Sequence, residues 1–552
     1  MMNSELLLAA RPGVASGRMA KQWLKQLPLS DAGSAHHAAS AMIAELVDAD
    51  VAPGVRLEVL ETVRASIAEI GAQFARGYAD KPLPLGPVER NAFERAQSLW
   101  RTLAMVYLGC FESSLDVAPE LATHRALCLA RAAACYCDAL KGRMRSGQGG
   151  IGEEIGKLQT LVDMAVEHDV VETRVRDSLV ACGATSVSLI YNRALLLALA
   201  GSAAGGRERE AMFDLAQCWE GKIECTVEQR RASRDAGVAT RPASANNERV
   251  PRLRTIPFGR WLHTVDIAPL SRSIGRRLRR LDRGEALAGL GLPATFRAVE
   301  ARNVLARALK VWCDRADMRA VQRVSVAAAG AKAQARSLAL AYAGADFEAM
   351  YLMIAGEAFS LNQEDATSRR RFDELFVFQQ ASGAREEARA REAARLFEDW
   401  EICDESAIGL GLRRLRAGAR FRVDQLVAMR LWKSGDHGPV ALARLRWLSE
   451  PDVGADGGAP GALEAGVELF EGKPHAVGIR VAGVHGGAPY CAAFRLGPLH
   501  ARASVRLLVP CGRFGVGRQI EIHDAGSVYR LRVAVCMSRG CDFEQIEAQM
   551  TA

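Results

Sequence analysis

Aromatic residues are scarce in this chain, at 6% of 552 residues, while alanine and leucine abound. That balance favours helix over strand for most of its length. No apolar run approaches the roughly 20 residues of a membrane-spanning helix, so no span is expected. The opening "MMNSELLLAARPG" has no positive stretch ahead of its short apolar patch, which argues against a secretion signal and for a cytoplasmic protein. The thirteen cysteines form no CxxC and no Cys/His ladder. Structural metal and redox roles are therefore not expected, and the thiols read as small buried apolar groups. No nucleophile–base pair stands out either, so the chain does not read as an enzyme. The net charge of +8 permits an anionic partner without demanding nucleic acid.

What is present divides the chain in two. The first half repeats apolar positions at three- and four-residue steps. In Val55–Ala79 the residues Leu57, Leu60, Val63, Ile67, Ile70 and Phe74 share one helical face. "PLPLGP" (Pro82 to Pro87) breaks the pattern, because proline lacks the amide donor and clashes with the preceding turn. Helical pattern returns on either side of the flexible "SGQGGIG". The polar stretch Arg230–Thr255 lacks apolar period and reads as a linker. After Arg319 short strand-like runs with glycine-rich turns take over, from "RVSVAAAG" to "SVYRLRVAVCMS". The expected class is α+β: a helical domain over 1–229, a linker over 230–256 and a helical connector over 257–314. A β-barrel would follow over 315–480, with a helical insertion near 331–398, and a β-rich extension over 481–552.

Chemistry concentrates in "WEICDESAIGLGLRRL" (Trp400 to Leu415). Asp404, Ser406 and Gly409 are ordinary hairpin residues, able to hold a turn by side-chain bonds to backbone. "RAVQR" places Arg319 and Arg323 four residues apart just before the first strand-like run. In this order the residues resemble the PilZ family of cyclic di-GMP receptors, which has an RxxxR motif entering a β-barrel and a (D/N)xSxxG motif on a barrel strand. The later runs "ALARLRWL" and "LEAGVELF" resemble it too, and the likeness spans roughly Arg315 to Arg480. It implies a receptor without a cofactor, binding cyclic di-GMP through Arg319, Arg323, Asp404, Ser406 and Gly409.

The residue types suit such a ligand. An arginine fork matches guanine or phosphate in bidentate fashion, and a carboxylate accepts from base N–H groups. The family's motifs lie a few tens of residues apart, whereas a long segment separates Arg323 from Asp404 here. Arg369 to Arg371, or Arg391 and Arg395, are alternative sources of the cations. RxxxR alone is common in this chain, also at Arg315/Arg319, Arg385/Arg389 and Arg416/Arg420. The helical domain is expected to meet a protein partner. The alternative is an adaptor that has lost its nucleotide and acts only through protein contacts.

Smaller motifs read as structural. The basic run Ser271–Arg283 is a solvated helix packing through Ile274, Leu278 and Leu281. "SGDHGP" around His437 and "GRFGVGR" (Gly512 to Arg518) are turns.

Overall fold

The computed structural model describes residues 16–48, 50–180, 182–201, 206–229, 253–258, 261–290, 292, 296, 298–313, 324–325, 337–341, 347–357, 359, 361, 397–406, 408–433, 436–451, 461–483, 488–498 and 504–551. The chain forms two compact units, Met1–Lys81 with Leu85–Ala320, and Pro82–Pro84 with Val321–Ala552. The first is helical and the second β-rich, so the α+β class expected is the one observed.

The first unit contains α1 (Gly17–Leu24), α2 (Ala32–Asp48), α3 (Pro53–Phe74), α4 (Pro87–Asp116), α5 (Arg125–Ser146) and α6 (Ile151–Glu167). A two-stranded hairpin of β1 (Val175–Arg176) and β2 (Ala184–Thr185) leads to α7 (Val187–Ala200) and α8 (Gly206–Trp219). The termini follow local chemistry. Ser186 caps α7 by accepting from the Leu189 amide at 3.4 Å. Glu89 accepts from the Gly86 amide at 2.7 Å at the start of α4. Gly147, with φ 65, closes α5 in the left-handed conformation that glycine adopts without steric cost. Of the face read from the sequence, Leu57, Leu60, Val63, Ile67 and Ile70 enter the core, while Phe74 is half-buried.

Between α8 and the basic run the sequence pattern predicts no strands. The structure has three: β3 (Glu224–Gln229), β4 (Leu253–Phe258) and β5 (Trp261–Asp266), in the order β3-β5-β4. The end of the stretch read as a linker is thus β4, because a sheet partner in β5 satisfies its backbone. The basic run falls in α9 (Ala268–Asp282), whose Leu270 and Ile274 are fully buried. Arg277 there donates to the Leu290 carbonyl at 2.8 Å and lies over Trp219, so it serves packing. α10 (Ala298–Ala308) leads to Trp312, which meets Trp219 edge to face and donates to the Leu196 carbonyl.

The second unit holds two barrels. The first is built from β6 (Val324–Ser325), β7 (Ser337–Ala341), β8 (Phe397–Ser406), β9 (Gly409–Arg414), β10 (Leu426–Lys433), β11 (Asp436–Ser449) and β12 (Leu463–Leu469). Their order is β6-β8-β7-β10-β11-β12-β9, and a β8–β9 pairing closes the ring. The second barrel is closed, in the order β13-β14-β15-β18-β17-β16. Its strands are β13 (Pro474–Val481), β14 (Cys491–Leu496), β15 (Val505–Pro510), β16 (Gln519–Asp524), β17 (Ser527–Arg539) and β18 (Phe543–Met550). The stretch read as a helical insertion contains both the strand β7 and the helix α11 (Phe347–Ala355). Gly512 to Arg518 is a turn between β15 and β16, as read. His437 falls in β11, where its backbone pairs with Trp432.

One apolar cluster joins the barrels. Phe347, Met350 and Met353 of α11 pack with Leu426 and Leu442 of the first barrel and with Phe494, Leu508 and Phe543 of the second. Phe347 stacks on Phe494 with ring centroids 5.4 Å apart. Beside this cluster, Asp542 accepts from the Leu426 amide at 3.0 Å and the Cys541 amide donates to the Asp424 carbonyl at 2.9 Å. No helix among the described residues is long and apolar enough to cross a membrane.

Asp542 supplies a prediction. Burial pushes its carboxyl up to about 6, against the opposing Leu426 amide bond. Because the folded value exceeds the unfolded one, the favourable contribution is complete at acid pH and is lost as pH rises through about 6. Asp542→Asn keeps an acceptor for Leu426 and cannot ionise. Urea unfolding from pH 4 to 8 should show the parent losing about 2–3 kcal/mol relative to the variant. Parallel pH profiles would refute this.

Candidate functional site

Asp404, Ser406 and Gly409 are brought together on the hairpin of β8 and β9. Ser406 pairs with Gly409 across the strands, and its hydroxyl donates to the Gly409 carbonyl at 3.0 Å. The hydroxyl thus has a structural role in the turn. Arg319, Arg323, Arg369 to Arg371, Arg391 and Arg395 lie outside the described residues.

β6, however, begins with the residue that follows Arg323. Val324 pairs with Glu405 and Ser325 with Asp404. The long segment between the two motifs therefore does not separate their strands: β7 and α11 arise within it, and β6 lies against the far end of β8.

A bulge sets the direction of Asp404. Ile402 pairs with Leu412 and Asp404 with Gly411, leaving Cys403 as an extra residue. Ile402 and Leu412 are buried in the barrel interior. Strand residues two apart share a face, so without the extra residue Asp404 would point inward as well; the bulge turns it outward. A second bulge acts likewise on β11. Leu445 pairs with Val467 and Trp447 with Gly466, leaving Arg446 as the extra residue. Leu445 is buried, and Trp447 is half-buried on the outer face.

The two bulges flank one lateral row. Ser325, Asp404, Gly411, Gly466 and Trp447 are successive partners across β6, β8, β9, β12 and β11. The two central glycines leave room that their neighbours occupy. A Cβ on Gly411 would lie 2.6–2.8 Å from the Asp404 carboxyl atoms, and one on Gly466 would fall on the Trp447 indole. A carboxylate and an indole thus lean toward each other over a glycine floor, separated by about one strand spacing, ~5 Å.

The charge around the row is mainly negative. Glu401 is exposed on the same face as Asp404, while Glu464 holds Arg413 at 2.8 Å and Glu468 holds Arg446 at 3.4 Å. Burial raises the Cys403 thiol. This surface offers hydrogen-bond acceptors and an aromatic face, and its two arginines are committed to carboxylates. No cluster of His, Cys, Asp and Glu among the described residues could hold a metal ion.

Trp447, Gly411 and Gly466 were missed by sequence reasoning. A signal existed for the first: in "ALARLRWL" the buried Leu445 and Leu448 stand three apart, a break in strand alternation that marks a bulge. Glycines inside strands likewise flag close approach of other groups.

Residues 18–230 match the family model for the N-terminal domain of the cyclic-di-GMP receptor FimW. The match covers less than half of the chain, runs along the helical region and contains none of Asp404, Ser406 and Gly409. Comparison with curated proteins and with solved structures gives no match.

The hairpin's structural demands can be separated from ligand binding. A Cβ on Gly409 would fall on the Val467 carbonyl oxygen, which is backbone of β12 and cannot swing aside. Gly409→Ala should cost about 1–3 kcal/mol in urea unfolding. Ser406→Ala, which removes one hydroxyl bond, should cost about 0.5–1.5 kcal/mol. A Gly409→Ala protein as stable as the parent would contradict this packing.

Proposed function

We propose that the protein is a cyclic di-GMP receptor of PilZ-like design, its ligand held on the outer face of the first barrel. The observation carrying this reading is the pairing of Val324 and Ser325 with Glu405 and Asp404. It supports a site in which the RxxxR segment and the DxSxxG hairpin act together. The family match of the helical region supports the same ligand from a separate part of the chain.

In this reading Asp404 accepts from the N1 and N2 donors of a guanine, while the base stacks on Trp447 over Gly411 and Gly466. Ser406 adds its hydroxyl oxygen as an acceptor while its proton stays on the Gly409 carbonyl, and Gly409 shapes the hairpin by packing on the Val467 carbonyl. Arg319 and Arg323 supply the cationic half, which the described surface lacks, by gripping phosphate and guanine in bidentate fashion. The ligand then bridges the segment before β6 and the face of β8. It acts by population shift, and only to the extent that it favours one arrangement of that segment over another. The helical unit serves as the platform for a protein partner, and the expected place of action is the cytoplasm.

Calorimetric titration of the full chain with cyclic di-GMP, with GTP as control, tests the reading. Binding near micromolar, about −8 kcal/mol, is expected for the dinucleotide alone. The pair Arg319→Ala and Arg323→Ala should abolish it while leaving the thermal melt unchanged. Asp404→Ala should cost about 1–3 kcal/mol by losing a base-edge contact. Trp447→Ala should cost a similar ~1–3 kcal/mol through lost stacking. No heat with the parent would refute the receptor reading and favour an adaptor working through protein contacts only.

A further inference from the structure

The helical unit contains a cavity of its own, about 260 Å³, between α3, α4, α5, α7, the residues Asp177, Leu179 and Val180 after β1, and Thr185 of β2. Four cations line it, Arg64, Lys141, Arg145 and Arg193, against two carboxylates, Asp138 and Asp177. Each cation has one acid partner. Arg64 grips Asp177 with both terminal nitrogens at 2.7 Å. Arg145 grips Glu210 at 2.7 and 2.6 Å, and Lys141 donates to Asp138 at 3.0 Å. Arg193 donates through Nε to Glu220 at 2.7 Å.

Two polar groups on the wall remain unanswered. Arg193 is 5% exposed, and its Nη2 has no acceptor among the described residues. Thr185 is 0% exposed, and its hydroxyl has no partner among them. Tyr78, 1% exposed, adds a phenol that burial pushes up to about 12, so it stays a proton donor at neutral pH. A buried guanidinium N–H and a buried hydroxyl without partners are costly, which makes a void an unfavourable filling for this space. The wall is rich in donors and its carboxylates are already spent on cations, so the complementary occupant presents acceptor oxygens and negative charge. The volume lies below the usual range of ligand pockets, which excludes a dinucleotide and fits one small molecule.

We infer that this cavity is a binding site for a small oxyanion, a phosphate or carboxylate group held by Arg193 Nη2 and the Thr185 hydroxyl. It is distinct from the dinucleotide site and gives the helical unit a ligand of its own.

The test uses the full chain, with thermal unfolding followed against inorganic phosphate and, separately, acetate, chloride holding the ionic strength constant. A saturable rise in melting temperature with either anion is expected. Thr185→Val replaces the unanswered hydroxyl by a methyl group of the same shape. Without added anion it should melt no lower than the parent, and its apparent affinity for the stabilising anion should fall by about fivefold or more. If neither anion gives a saturable rise, or Thr185→Val responds as the parent does, the cavity holds water only and the proposal fails. No nucleotide enters the assay, so its outcome is separate from that of the cyclic di-GMP titration.

Discussion

The β-rich unit depends on strand β8 having both of its edges paired. An unpaired edge exposes a row of amide and carbonyl groups, which folded proteins cover, shorten or close into a ring. β9 covers one edge of β8, from Glu401 to Ser406, and that pairing closes the first barrel. On the other edge β7 reaches only from Phe397 to Glu401. The remainder at Asp404 and Glu405 is covered by β6. Edge satisfaction therefore brings the chain just after Arg323 beside Asp404, although more than a strand and a helix intervene in sequence. The closeness of β6 to Asp404 follows from completing a ladder, and needs no ligand to enforce it.

The same constraint explains why an acid and an indole face outward from strands whose neighbours face in. A regular β8 would bury Asp404 among Ile402, Leu410 and Leu412, where an ionised carboxylate without a partner is strongly disfavoured. A regular β11 would turn the Trp447 indole inward beside Leu445. One added residue on each strand, Cys403 and Arg446, reverses the parity and keeps the interior apolar. The glycines at 411 and 466 follow from that reversal, since a side chain at either position would collide with the re-aimed group. Barrel packing and surface chemistry are solved by one local device used twice.

How much of this could be read from the sequence follows from the range of the forces involved. The helices of the first unit were legible because their cores repeat within a few turns, as Leu57 to Ile70 do. Turns were legible where glycine clusters, as at Gly512 to Arg518. Asp404, Ser406 and Gly409 were legible because they sit within six residues of one another. The strands β3 and β4 were not, for they exist only by virtue of β5 between them. The closure of β13 to β18 into a second barrel was not legible either. It depends on registers such as Gly478 with His523, set by partners far apart in sequence. α11 was expected as part of an insertion. Nothing local says that Phe347 would stack on Phe494 of the second barrel.

The charge distribution bears on how a dinucleotide would act here. The described face carries Asp404, Glu401, Glu464 and Glu468 against Arg413 and Arg446, the two arginines held by Glu464 and Glu468. A ligand with two phosphodiester charges would be repelled by that face alone, since like charges in contact are unfavourable at any dielectric. The proposed site therefore draws its cations from outside that face, and the nearest in sequence to β6 are Arg323 and Arg319. The proposed site, divided this way, would be incomplete unless both parts met: the barrel would offer base recognition, and the preceding segment charge. Division of labour of this kind makes a receptor of a binding surface, because the free energy of binding is available only when the segment is in place. In that proposal the ligand would favour the arrangement in which both parts meet. In a barrel carrying its own arginines the ligand would bind without moving anything, and no signal would leave the site.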